Sequence, residues 1–263
     1  MRLFKSMINK FFTLIWFLQR PKFWLHAFHL IKRKFLVDFD NPSQRQKAHK
    51  WASKHVVSFY DALTKLGITG EASELNDSIL KEGKELADKS VVKMGGPGDL
   101  NLLFNSVHLI RPSRVIETGV AYGWSSLAIL KAMSINGRGK LYSVDMPYPK
   151  MGNEAYVGIV VPKIYSDRWS LIREPDRYGL KKAIKMAGGK VSLCHYDSDK
   201  SWWGRDYAFP LLWNALEPGG LFISDDIQDN MYFSEFVKTK SIPFAITKSD
   251  EKFIGIIRKP LNL

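Results

Sequence analysis

Cysteine is nearly missing from this chain. The single one in 263 residues, Cys194, lies inside an apolar run, which excludes a disulfide framework and a Cys/His metal cluster and fits a reducing compartment. Long apolar runs are missing too: the uncharged stretch from Phe11 to Gln19 has nine residues, against the ~20 needed to cross a bilayer. The Gln19-Arg20-Pro21-Lys22 that follows lacks the small residues of a signal-peptide cleavage site. Acids are absent from residues 1–34, which carry eight Lys/Arg, so more than half of the net charge of +13 is concentrated there. No internal repeat or low-complexity linker interrupts the rest, and 45% hydrophobic residues suffice for one substantial core.

The informative stretch runs from Val115 to Ser126, V-I-E-T-G-V-A-Y-G-W-S-S, and a second apolar run farther on, Leu141 to Val144, ends in Asp145. A strand ending in an acid, a glycine turn, a helix and a second strand ending in an acid is how α/β folds hold a nucleoside. Backbone approaches the ligand at the glycines and the carboxylate accepts the ribose hydroxyls. The spacing Gly119-x-x-x-Gly123 is not the G-x-G-x-x-G that seats a pyrophosphate, and Glu117 would repel phosphate, so a cofactor without phosphate is favoured.

On these residues the chain resembles the class I S-adenosylmethionine (SAM)-dependent methyltransferases, in particular the branch of small O-methyltransferases and macrocin-type enzymes, over about Met94 to Arg258. The resemblance implies that Glu117, Gly119, Gly123, Ser125 and Asp145, with Gly95 in the Met94-Gly95-Gly96 loop, surround SAM. A short-chain dehydrogenase is the rival, because Thr118 to Gly123 imitates T-G-x-x-x-G and Tyr178 with Lys182 imitates Y-x-x-x-K. Against it stand Ser125 at the third glycine position, the short interval from Thr118 to Tyr178, and the long segment before the first strand.

Periodicity predicts helices over 43–66, 74–88, 99–110, 154–167, 177–187 and 203–216, interleaved with strands near 141–144, 169–173, 191–196 and 221–224. The tail reads as two β-rich runs, Pro243 to Thr247 and Lys252 to Ile257, joined by Lys248-Ser249-Asp250-Glu251. The expected fold is a doubly wound, mostly parallel α/β sheet of the Rossmann-like methyltransferase kind ending in an antiparallel hairpin. Residues 1–40 form a basic amphipathic segment and 41–263 the methyltransferase domain.

Chemistry is expected at the carboxyl ends of the strands. Asp197 follows the fourth strand and Asp225-Asp226 the fifth. Three converging carboxylates would repel one another unless a hard cation such as Mg²⁺ joins them. The resemblance agrees, since metal-dependent O-methyltransferases place an acid, a lysine three residues on, and a later acid pair where this chain has Asp197, Lys200, Asp225 and Asp226. Lys200 is then the candidate base, with a pKa lowered by burial or metal, Asp197 a metal-bound alternative and Asp199 a reserve. His195 reads as a core histidine; Trp202 and Trp203 read as core or as a sugar-stacking pair.

At the N-terminus, Leu3, Phe4, Met7, Ile8, Phe11, Phe12, Ile15 and Leu18 share one helical face and basic or polar residues the other. Pro21 ends that helix, and an aromatic-rich stretch closes in Lys32-Arg33-Lys34. The segment is expected to lie on a membrane, separable from cofactor binding, or against the protein's own core or an oligomer partner. This makes the protein cytoplasmic and peripheral on the inner face of the membrane, with a hydroxyl of a lipid-linked or surface glycan as acceptor. A basic pI of about 9.6 keeps a nucleic-acid methyltransferase or binding module as the competing class.

Overall fold

The computed structural model describes residues 11–33, 39–75, 77–147 and 152–261. Seven strands form one sheet in the order β3-β2-β1-β4-β5-β7-β6. They are β1 Arg114–Thr118, β2 Lys140–Val144, β3 Trp169–Ile172, β4 Val191–Tyr196, β5 Leu216–Ser224, β6 Phe244–Ser249 and β7 Lys252–Arg258. β1 to β5 run parallel; β7 pairs antiparallel with both β5 and β6.

The alternation of strand side chains splits the core in two. Val115, Leu141 and Leu193 enter the layer under helices α6 (Leu100–Ile110) and α7 (Trp124–Ile135). Their neighbours Ile116, Tyr142 and Cys194 enter the opposite layer, with α8 (Asp176–Met186), α9 (Trp202–Ala215) and α10 (Tyr232–Lys240). Both faces are covered, which is why the strands read as continuous apolar runs. In β7, Gly255 is demanded by packing, because a Cβ there would lie 2.3 Å from the Phe233 ring.

Two expected helices are broken. The span 43–66 is α3 (Pro42–Ser53) and α4 (Phe59–Lys65), capped by Asn41 and Ser58. Between them Val56 bridges to Ile246 of β6, so the connection extends the sheet edge. The span 154–167 holds only single turns, Glu154–Tyr156 and Lys163–Tyr165, because Gly158 takes φ +74° and Pro162 precludes helix continuation. Helix α5 is Asp77–Ala87.

Of the expected amphipathic terminus, residues 1–10 and 34–38 lie outside the described residues. Residues 11–18 are helical (α1), a turn Pro21–Phe23 follows, and Trp24–Arg33 forms α2. Phe17 and Phe23 are buried, Trp24 Nε1 donates to the Phe17 carbonyl at 2.9 Å, and Arg33 pairs with Asp199 at 2.9 Å. The segment therefore docks on the carboxyl side of the sheet. Among the described residues no helix is long and apolar enough to cross a membrane.

Candidate active site

A cleft of about 390 Å³ opens where β1, β2, β4 and β5 end. Its rim carries Gly95, Gly119, Ser125, Asp145, Asp197, Lys200 and Asp225, all singled out by the sequence. Glu117 is not among the lining residues. It is fully buried below the turn, where its Oε2 accepts hydrogen bonds from Ser126 Oγ at 2.5 Å and Ser143 Oγ at 2.7 Å. These bonds brace the turn from beneath.

The glycines have specific causes. Gly119 takes φ +77°, and a Cβ on it would meet the Asp197 carbonyl oxygen at 2.2 Å, so its freedom lets the ends of β1 and β4 close on each other. Gly123, at φ +95°, starts α7 and packs against Gly158 and Val161. A Cβ on Gly95 would meet nothing within 4 Å; the loop opens onto the cleft without crowding.

Asp145 is held on two sides. Its Oδ1 accepts from the Val120 amide at 3.0 Å, and its other oxygen pairs with Arg173, which also donates to the Asp145 carbonyl and to Glu154. Burial raises the Asp145 pKa, opposed by these donors. Arg173, which no motif singles out, fixes the acid that would take ribose hydroxyls. A carboxylate offers about four lone-pair sites, so the remaining ones stay available.

The acids beyond β4 and β5 do converge, but around cations of the chain itself. Lys200 Nζ lies between Asp197 at 3.0 Å and Asp226, while Asp225 faces His195 Nε2 at 3.3 Å. Among the described residues no group of three or more His, Cys, Asp or Glu could hold a metal ion. Lys200 Nζ occupies the space between Asp197 and Asp226, and Asp225 is turned to His195, so these residues do not fit the divalent cation expected at Asp197, Asp225 and Asp226. Accordingly, Mn²⁺ titrated into the full chain and followed by electron paramagnetic resonance is expected to show no stoichiometric site; one tightly bound ion per chain would contradict this arrangement.

The same geometry corrects the assignment of Lys200 as base. Burial pulls its pKa down, but Asp197 and Asp226 together outweigh burial and push it well above the ordinary lysine value, so it stays an ammonium. Asp197 moves the useful way: burial and then Asp225 raise it to about 6, against the opposing pull of Lys200 and His195. His195, buried between Glu117 and Asp225, is opposed by burial, yet the two carboxylates raise it to about 10 and keep it protonated. Asp199 faces away from the cleft, paired with Arg33 and bonded to Ser201.

Arg205 is a second residue the sequence did not reveal. Fully buried on α9, it donates to the carbonyls of Asp225 at 3.2 Å and Asp226 at 2.7 Å and to Asn230 at 2.9 Å. It thereby holds the turn in which Asp226 takes φ +52°. The two tryptophans serve packing: Trp202 stacks on Phe39 with centroids 4.5 Å apart, and Trp203 lies beside the Arg177 and Lys32 cations.

Residues 116–227 match a family model described as a methyltransferase domain. No curated protein matches the chain in sequence. Among solved structures, it resembles an O-methyltransferase from Bacillus cereus in complex with SAH, at 14% identity and TM-score 0.55 over 76% of this chain and 96% of that one. It also resembles an SAH-bound methyltransferase from Podospora anserina, at 16% identity and TM-score 0.53 over 72% and 90%. A methyltransferase from Geobacter sulfurreducens aligns at 16% identity and TM-score 0.52 over 77% and 98%. The fold is that of the class I methyltransferases. The matched segment spans β1 to the turn after β5.

Proposed function

We propose that the chain is a SAM-dependent O-methyltransferase. The observation that carries the reading is the meeting, in one cleft, of the Gly119 turn, the ribose-type acid Asp145 and the near-neutral acid Asp197. The lining suits a sulfonium, since Asp145, Asp197 and Asp225 are acids and the glycine loops leave backbone accessible. When bound, SAM supplies a methyl group on a positively charged sulfur; the acceptor oxygen forms the new C–O bond as the C–S bond breaks and its electron pair stays on sulfur.

Within that step Asp197 takes the acceptor's proton, at a carboxylate raised towards neutrality. Lys200, a fixed ammonium, holds Asp197 and Asp226 in place and offers its third N–H to an incoming oxygen. Much of the acceleration comes from holding the acceptor in line with the methyl carbon.

The acceptor is a hydroxyl on a lipid-linked glycan, and the enzyme works at an anionic membrane surface. Support comes from α1 and α2, on which Phe11, Phe12, Leu14, Leu18, Trp24, Leu25, Phe28 and Ile31 are all exposed, with Arg20, Lys22, Lys32 and Arg33 alongside. Each basic residue near an anionic leaflet contributes about 1 kcal/mol. Vesicles of phosphatidylcholine with phosphatidylglycerol are expected to sediment the full chain, and pure phosphatidylcholine to do so far less; a chain left in the supernatant with both would overturn the membrane reading. Labelled SAM offered with lipid-linked and soluble sugars tests the acceptor, and label entering only small phenols would refute a sugar.

A further inference from the structure

Beside the cleft lies a second cavity of about 300 Å³, sharing Asp145 and Ser198 with it. One side is built by the domain: Met146 directly after Asp145, and Pro175 with Asp176 at the start of α8. The other side comes from the N-terminal segment, through Phe17 of α1 and His26 and Leu30 of α2. The two compartments thus meet at the carboxylate that would take the ribose, and the second begins where a base attached to that ribose would point. Its lining combines apolar side chains, Phe17, Leu30, Met146 and Pro175, with polar ones, a mixture that suits a heteroaromatic ring.

The polar atoms are in suitable states. His26 Nδ1 is buried and has no hydrogen-bond partner, and burial lowers the ring's pKa to about 4, so it is neutral. Asp176, raised to about 7 chiefly by burial, bonds to Ser198. The unpartnered ring nitrogen and the Asp176 carboxyl, both lining the cavity, provide contacts for the edge of a base, and burial of the ring nitrogen is costly while it lacks a partner.

Resting on the SAM reading above, we propose that α1 and α2 complete the nucleoside compartment of this enzyme: Phe17 and Leu30 form its outer wall against the adenine ring, and His26 Nδ1 meets the ring's polar edge. The amphipathic segment then has two working faces. Its inward residues bind cofactor, and its outward ones remain exposed; it is not an independent anchor.

The test uses SAH and the full chain. In calorimetric titrations, Phe17→Ala and Leu30→Ala are each expected to weaken SAH binding about tenfold, the loss associated with removing one apolar ring contact, while Ile135→Ser, exposed on α7, changes nothing. Unfolding midpoints of the same variants separate lost contacts from lost folding. A second readout needs no variant: saturating SAH is expected to slow tryptic cleavage after Lys22 and Lys32 at least fivefold. Unchanged SAH affinity in both folded variants, or cleavage indifferent to SAH, would overturn the proposal while leaving the SAM reading intact. A wild-type chain that does not bind SAH at all would overturn both.

Discussion

Asp197→Asn is expected to lower kcat by about 10³, within the range for loss of a positioned general base, with SAH affinity unchanged within about twofold. The expectation follows from position: Asp197 ends β4, lines the cleft and has a pKa near 6 because burial and Asp225 disfavour its charge. A base works when deprotonated, so the wild-type rate should rise with pH through about 6 and level off above it. In Asp197→Asn that rise should vanish along with the rate. Lys200→Met separates the two candidates. Were Lys200 the base, the wild-type rate would keep climbing far into the alkaline range, because its carboxylate neighbours raise its pKa. A retained kcat in Asp197→Asn would remove Asp197 from the chemistry.

Gly119→Ala should be the most disruptive single methyl group in the chain. Its Cβ would be placed 2.2 Å from the Asp197 carbonyl oxygen, a backbone atom, at a residue with φ +77°. Left-handed backbone costs an alanine roughly 1–2 kcal/mol, and overpacking adds about 1–3 kcal/mol. The ends of β1 and β4 must separate to relieve the clash, and that displaces Asp197, whose amide donates to the Thr118 carbonyl at 3.0 Å. Calorimetry should show a lowered unfolding midpoint together with loss of transfer activity. A variant with wild-type stability and rate would show that the close approach is not required. By contrast, Gly95→Ala, where nothing lies within 4 Å of the new carbon, should be tolerated by the fold.

These two residues show what is legible in the sequence. The β1-turn-α7 unit, the strand ends and the closing hairpin can be read, because fully buried parallel strands are continuous apolar runs and glycine turns interrupt them. The helix predicted over 154–167 fails at Gly158 and Pro162, residues that a periodicity argument underweights. Side-chain partners across the sheet are not legible. Against burial, the Lys200 pKa is raised by Asp197 and also by Asp226, which lies beyond the neighbouring strand β5, and the orientation of Asp145 depends on Arg173, beyond β3. Glu117 stands out in the sequence as a ligand-facing acid, but its bonds to Ser126 and Ser143, which hold the turn from below, are not legible there. The terminal segment reads as amphipathic, but which of its residues face the domain depends on packing against α8 and α9, which no local pattern encodes.

Titration calorimetry of the full chain with SAH and, separately, with NADH tests the central claim most directly. One SAH bound per chain, weakened at least tenfold by Asp145→Ala, with no heat from NADH, is the predicted result. Binding of NADH without binding of SAH would contradict the cofactor assignment and, with it, the roles given to Asp145 and Asp197.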